Sequence, residues 1–318
     1  MIRLSTVRMT SPLEIQIVEK QETRAVRRKA RKAFEAALAE VDRLTRLLSE
    51  YRADSEISHI NRNAGRTSVL VSLDTANVIE LALETATMTR GAFDPTFRPL
   101  LDLWDYNQED SVIPAEESIQ KTLQLVDYGR VEFDKVSRRI RLAKPGMRLG
   151  LGGVSKGYIV QKIVETLKQF NFENFLVNAG GDIFASGTHL GKSWNVGVPD
   201  PIRPGRMAFS VPISNVAFCT SACYERYVTI NGKQYGHILH PKTGYPVEYT
   251  QGVTVIAHKM GYADAIATTI FVLGPFHGLQ FANQLQATEA IIFDAQGRMH
   301  MTDGLNRVYE EKELPLGA

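Results

Sequence analysis

Cysteine is almost absent: 318 residues contain only Cys219 and Cys223, four positions apart. That excludes a disulfide-stapled scaffold and supplies no common redox motif. Also lacking is any apolar run near the roughly 20 residues that a membrane span needs, and residues 1–10 carry no hydrophobic segment of the kind that opens an export signal. Charge of one sign is missing too, since 37 basic residues face 35 acidic ones. The basic cluster Arg24, Arg27, Arg28, Lys29, Arg31 and Lys32 sits on a helical pattern and reads as a solvated face rather than a nucleic-acid footprint. There is no internal repeat and no low-complexity tract.

What is present is ordinary soluble composition in a chain long enough for a large core, as one large domain or two lobes. One stretch organises it. Gly150, Gly152 and Gly153 fall within four residues, with Lys156 and Gly157 just after, and Ile159, Val160, Ile163, Val164 and Leu167 then mark an amphipathic helix. Glycine tolerates positive φ and lets amides converge on an anion, so loop, lysine and helix start make a coherent phosphate site. Neither familiar nucleotide signature fits: no Gly-Lys-Ser/Thr follows a four-residue spacer, and the third glycine of G-x-G-x-x-G falls on Ser155. A plain glycine-rich turn with a solvent-facing lysine explains the same residues, and other segments must decide.

Taken in order, residues 7–18 read as an opening strand broken at Ser11-Pro12, and residues 21–50 as a long amphipathic helix. A polar loop at 61–65 precedes a helix capped by Asp74 and stopped by Gly91. Residues 114–125 read as a short helix and 130–142 as a hairpin. Strands follow at 175–178, 183–186, 194–198, 208–213, 216–219, 226–230 and 234–239, with Asn231-Gly232 as a hairpin turn. A strand at 252–257, a helix at 262–273, a short helix near Leu279 and a hairpin over 290–301 complete the chain. Helices on a largely antiparallel sheet predict an α+β fold.

Three further segments could carry chemistry. Asp94, held extended by Pro95, can accept a hydrogen bond from a ligand or simply cap its turn. Asp264 and Thr268 lie one helical turn apart on one face, and their hard oxygens suit magnesium, although an N-cap aspartate beside a core threonine reads the same way. His237, at a strand end near Lys242, suits a general base or a purely structural role. A rival zinc module of Cys219, Cys223, His237 and His240 has too short a histidine spacing and no helix to hold both rings on one side.

Five ordered segments, Gly91-Ala92-Phe93-Asp94-Pro95-Thr96, Leu151-Gly152-Gly153-Val154-Ser155-Lys156-Gly157-Tyr158, Val177-Asn178-Ala179-Gly180-Gly181-Asp182, His237-Ile238-Leu239-His240-Pro241-Lys242-Thr243-Gly244 and Ala263-Asp264-Ala265-Ile266-Ala267-Thr268, together resemble the FAD:protein FMN transferases of the ApbE type. The match spans nearly the whole chain, as one domain over residues 1–318. The resemblance implies a T-fold-like architecture and a magnesium-dependent enzyme that moves FMN from FAD to a Thr or Ser hydroxyl of a target protein and releases AMP. It leaves as alternatives an FAD pyrophosphatase and a flavin-binding protein without turnover. By motif position Asp264, Thr268 and the Gly153 carbonyl would hold the metal, and Ala92, Phe93, Asp94, Lys156 and Ile238 would line the FAD site. Met9 and Tyr51 would flank the flavin, and His237 would serve as base. The chain departs from the pattern at Gly150, where the family has an aspartate, at Ser221-Ala222-Cys223-Tyr224, where it has Ser-Gly-Asp-Tyr, and at His240, another common aspartate. With no export signal visible, the expectation is a cytoplasmic member, or an exported one shown without its leader.

Overall fold

The computed structural model describes residues 1–106, 112–203 and 205–307. Strands β1 (Ile2–Arg8) and β2 (Ser11–Ile17) pair antiparallel across a turn at Met9 and Thr10, whose φ angles are 53° and 60°. The single strand expected over 7–18 is therefore two. A two-residue hairpin with left-handed φ at both central positions normally announces itself by Asn or Gly, and neither is present.

Helix α1 (Arg24–Leu48) is capped by Thr23, whose hydroxyl accepts the Val26 amide at 3.2 Å. It buries Ala33, Phe34, Ala37, Val41 and Leu44, while Arg24, Arg27, Arg28, Arg31 and Lys32 stay exposed, as a solvated face should. Helix α2 (Glu56–Arg62), capped by Ser55, runs into the residues expected as a polar loop at 61–65. After β3 (Val69–Leu70), helix α3 (Leu73–Met88) is capped by Ser72 and not by Asp74. Asp74 is instead drawn off by Arg43 at 2.6 Å and the Tyr158 hydroxyl at 2.7 Å. Gly91, with φ 78°, turns the chain out of α3. Helix α4 (Arg98–Trp104) has no counterpart in the sequence reading. Helix α5 (Glu116–Leu123), the hairpin β4 (Val131–Asp134) and β5 (Arg139–Leu142), and helix α6 (Gly152–Gln169) follow.

The second half supplies β6 (Phe175–Ala179), β7 (Asp182–Ser186), β8 (Trp194–Pro199), β9 (Met207–Ile213), β10 (Val216–Ala222), β11 (Tyr227–Ile230), β12 (Lys233–Gly236) and β13 (Thr250–Ala257). Helix α7 (Met260–Ala282), β14 (Glu289–Asp294) and β15 (Met299–Met301) end the described chain. The fold is α+β, as expected: eight strands form an antiparallel sheet in the order β1-β2-β6-β7-β10-β13-β14-β15.

Period-two alternation gives this sheet two apolar faces. Phe184, Ala217, Cys219, Val253, Val255 and Ile292 point to the core shared with α1, α6 and α7. Their neighbours Ile183, Ala185, Phe218, Ile291 and Phe293 face a second core closed by the β8–β9 ribbon with Trp194, Val196, Val198, Val211 and Ile213. A third cluster joins Leu100, Leu101 and Trp104 of α4 to Ile119, Val228, Ile230 and Leu239.

Helix α7 is long and apolar enough by length and composition to cross a membrane, which corrects the expectation that no run approaches that length. Gly274 (φ 79°) and Pro275 break it, so the two helices read at 262–273 and near Leu279 are both present. Met260, Ala263, Ile266, Ala267, Ile270 and Phe271 are fully buried against α6 and the sheet.

Helices α6 and α7 meet at Gly157. A Cβ there would lie 2.6 Å from the Met260 carbonyl oxygen and 2.7 Å from Asp264 Cβ, whereas one at Gly152 would meet nothing within 4 Å. Gly157→Ala should therefore cost about 1–3 kcal/mol in a denaturant melt, the usual range for overpacking. Gly152→Ala should be neutral or stabilise by up to ~1 kcal/mol. Equal effects at both positions would show that the helices can separate freely.

Candidate active site

The glycine-rich segment is not an open loop. Helix α6 begins at Gly152, and none of Gly150, Gly152, Gly153 and Gly157 has positive φ. Gly150, Gly153 and Gly157 serve close approach instead, while Gly152 borders open space. A Cβ on Gly153 would stand 3.2 Å from both Phe93 Cε2 and Thr268 Oγ1, so the bare backbone lets the start of α6 sit against two other predicted site residues. The segment before α6 is pinned on both sides. Asn61 holds Leu149 through Nδ2 to the carbonyl (3.0 Å) and through Oδ1 to the amide (2.7 Å), and the Gly150 amide donates to the Pro95 carbonyl at 2.8 Å. No side chain caps α6, which leaves its first-turn amides at the wall of a cavity bordered by Gly152 and Gly153.

That cavity, about 370 Å³, collects most of the residues singled out from sequence: Tyr51, Ala92, Phe93, Asp94, Gly153, Lys156, His237, Ile238, Asp264 and Thr268 all line it. Met9 does not. It sits in the β1–β2 turn with its side chain packed on the core, and its neighbours Thr10 and Ser11 reach the cavity. Asp94 is 7% exposed, and its oxygens already accept from the Thr96 amide (2.8 Å), the Thr96 hydroxyl (2.6 Å) and the Tyr128 amide (3.0 Å). It fastens its own loop, and burial raises its pKa against those hydrogen bonds.

The charged centre is a triad of which sequence reading assigned two members. Lys156 Nζ lies 2.8 Å from Asp182 Oδ2, and Asp182, 1% exposed, also accepts the Thr220 amide at 3.2 Å. Asp264 on α7, 6% exposed, accepts the Gly157 amide at 2.8 Å. Burial works against the Lys156 charge, but Asp182 and Asp264 outweigh it and hold the ammonium protonated far beyond its ordinary range. Asp264 is pushed up to about 7 by burial and by Asp182, with Lys156 and the Gly157 amide acting in the other direction. Two carboxylates thus share one cation, and the site is short of positive charge. Asp182 belongs to the Gly-Gly-Asp run read from sequence, but only the fold brings it to Lys156.

The donors near this deficit are hard oxygens. Thr268 follows Asp264 by one turn, borders Gly153, and shares a 3.3 Å hydrogen bond with Ser221. A helical carbonyl keeps a second lone pair beyond its bond to the residue four positions on, so the Gly153 carbonyl at the start of α6 has acceptor capacity. No group of three or more His, Cys, Asp or Glu side chains converges as a metal cluster among the described residues. The zinc arrangement does not form. Cys219 Sγ contacts the Met260 carbonyl (3.8 Å), Cys223 Sγ donates to Gln251 (2.9 Å), His237 Nδ1 meets the Arg226 carbonyl (3.0 Å), and His240 Nδ1 accepts the Lys242 amide (3.2 Å).

His237 follows β12 directly. A carbonyl oxygen only accepts, so Nδ1 must carry the proton in its 3.0 Å bond to Arg226, and Nε2 keeps a free lone pair. Burial, and after it the nearby charges of Arg226 and Lys156, lowers its pKa to about 4 against the pull of that hydrogen bond. The ring is neutral at pH 7. Elsewhere on the cavity wall Tyr51 stacks on Arg98 at 4.8 Å and accepts Arg226 Nη1 at 3.1 Å. Sequence reading gave Arg98 and Arg226 no role, because neither belongs to a motif.

Known proteins align closely. The model of the ApbE family matches residues 9–292. An FAD:protein FMN transferase of Haemophilus influenzae is 30% identical over 292 residues, 89% of this chain and 84% of that protein. One from Klebsiella pneumoniae is 31% identical over 289 residues, 90% and 87%. The crystal structure of the ApbE protein of Thermotoga maritima superposes with a TM-score of 0.87 at 30% identity, covering 96% of this chain and 98% of that one. The flavin transferase ApbE of Vibrio cholerae, at 23% identity and a TM-score of 0.83 over 96% and 98%, shares the fold.

The lowered pKa of His237 has a consequence for stability. Between about pH 6.5 and about pH 4 the unfolded chain binds a proton at this position that the folded chain refuses, so acidification through that window destabilises the parent. Urea melts of the parent and His237→Gln should therefore diverge in the variant's favour as pH falls from about 6.5, and run parallel above pH 7. A constant difference at all pH values would mean that the folded ring takes up its proton normally.

Proposed function

The chain belongs to the ApbE family, and on that ground we propose that it transfers FMN from FAD to a Thr or Ser hydroxyl of a target protein, with magnesium bound and AMP released. The observation that carries this reading is the charge deficit beside Lys156. A buried lysine flanked by Asp182 and Asp264, with Thr268 and Gly153 adjacent, suits a diphosphate only if a further cation joins it. The donor set fits magnesium, which accepts one carboxylate with neutral oxygens and leaves its other positions to water and phosphate. Asp264, Thr268 and the Gly153 carbonyl would hold it.

When bound, magnesium supplies charge neutralisation on the pyrophosphate and its leaving phosphate. The residues of the chain do the rest. Lys156 places a fixed positive charge at the cavity wall, and the uncapped α6 start adds partial positive charge. Phe93 and Ile238 contribute apolar wall for the rings, and Tyr51 an exposed aromatic face. The acceptor oxygen attacks the phosphorus of the FMN half, the bond to the AMP oxygen breaks, and His237 Nε2 receives the hydroxyl proton. The products are a phosphoester-linked flavin and AMP. A histidine held neutral suits this, since its lone pair is available throughout the neutral range.

The test is incubation with FAD and magnesium, with and without a threonine-bearing acceptor protein, following AMP and covalent flavin together. Parent protein should form both in step. Asp264→Ala should keep its fold and lose most metal-dependent turnover, and His237→Gln should slow transfer by roughly 10²- to 10⁴-fold with little change in FAD affinity. AMP formation without flavin on the acceptor would replace transfer by hydrolysis, and FAD bound without AMP would leave only a binding protein.

A further inference from the structure

One buried polar atom at the cavity, Glu50 Oε2, has no hydrogen-bond partner. Glu50, just beyond the end of α1, keeps 10% of its side chain exposed and lines the cavity. Its Oε1 pairs with Arg98 Nη1 at 2.8 Å, yet its Oε2 is shielded from solvent without a hydrogen-bond partner. Charge is not what it lacks. Arg98 also pairs with Asp102 at 2.8 Å, and Asp102 with Arg148, so Glu50, Arg98, Asp102 and Arg148 alternate in sign and sum to zero. What Oε2 lacks is a neutral donor, an O–H or N–H group. Leaving a buried acceptor unpaired is destabilising, and more so when it is charged. Burial raises the Glu50 pKa, against the charge of Arg98 and hydrogen bonds from the Tyr51 and Arg98 side chains, so the carboxylate as a whole has partners and the orphaned atom is Oε2 alone.

Gly150 explains how the carboxylate comes to be there. A Cβ at position 150 would lie 2.9 Å from Glu50 Oε2, 3.0 Å from Phe97 Cε1 and 3.3 Å from Arg98 Cβ. Since Gly150 has no positive φ, the backbone does not require glycine; the space taken by Glu50 does. We propose that Glu50 is a substrate-contacting residue, its Oε2 accepting a hydroxyl or N–H hydrogen of the bound FAD, and that Gly150 is bare to make room for it. The assignment rests on the flavin reading of the cavity. It also narrows the ligand: the group that meets Glu50 is an uncharged donor such as a sugar or ribityl hydroxyl or a ring N–H, because neither a phosphate nor a second cation would satisfy it.

Calorimetric titration of FAD into the parent, Glu50→Gln, Gly150→Asp and the double variant, beside melting curves, tests this. Glu50→Gln is isosteric and leaves Arg98 its Asp102 partner, but it turns an amide N–H toward the substrate donor, so FAD should bind roughly 10- to 100-fold more weakly, the worth of a charge-assisted hydrogen bond. Gly150→Asp alone should bind no tighter and melt lower, since it crowds a second carboxylate against the first. With Glu50→Gln in place the new carboxylate can take over, and the double variant should recover most of the lost affinity. Parent-like binding by Glu50→Gln overturns the assignment, as does a double variant that recovers nothing, which would leave Glu50 a purely structural partner of Arg98. A parent that does not bind FAD at all overturns the flavin reading itself, an outcome distinct from either.

Discussion

Everything at the cavity depends on one buried imbalance, a single lysine between two aspartates. Lys156 comes from α6, Asp182 from β7 and Asp264 from α7, and the three can meet only because Gly157 lets the two helices touch. The amide of Gly157 then serves the Asp264 carboxylate that its missing side chain admitted. In a protein interior an unbalanced carboxylate is expensive, and burial with Asp182 nearby accordingly lifts Asp264 to about 7. A site in that condition is poised for a cation, and a cation beside a lysine and an open helix start is the setting in which a diphosphate binds well.

The scaffold separates this strained centre from what stabilises it. Alternating side chains give the sheet one face for α1, α6 and α7 and another for the β8–β9 ribbon, so apolar packing closes on both sides. The cavity lining gathers where strands begin and end: Thr10 between β1 and β2, Ser11 at the start of β2, Gly180 between β6 and β7, Ser221 and Ala222 at the end of β10, His237 after β12. Asp94 fastens its loop to Tyr128, and Asn61 and the Pro95 carbonyl tie down the segment before α6, so the cavity wall is set by hydrogen bonds as well as by packing.

Much of this was legible in the sequence. Period-two strands, the long α1 and the break at Gly274-Pro275 follow from patterns that depend on neighbouring residues only, and they survive folding with ends shifted by a few positions. Four of the five motif segments supply side chains to the same cavity, and the fifth, ending in Asp182, supplies the partner of Lys156. What sequence could not disclose were relations across space. Glycines 150, 152, 153 and 157 read as an anion loop, but three of them, 150, 153 and 157, serve close approach to atoms more than 50 positions away. Asp74 reads as a cap until Arg43 and Tyr158 claim it, and Ser72 takes the role. The Met9-Thr10 turn lacks turn residues altogether. Glu50 is an ordinary glutamate at a helix end until Gly150 opens beside it.

The claim on which the rest stands is that the Lys156, Asp182 and Asp264 cluster is short of one cation. Manganese, a paramagnetic stand-in for magnesium, can be titrated into the ADP-loaded chain and its binding counted by electron paramagnetic resonance. The account predicts that the parent takes up a single ion per chain at a protein site and that Asp264→Ala binds no more than ADP alone does. Equal uptake by parent and variant would contradict it, and would place the positive charge needed by the diphosphate somewhere other than between α6 and α7.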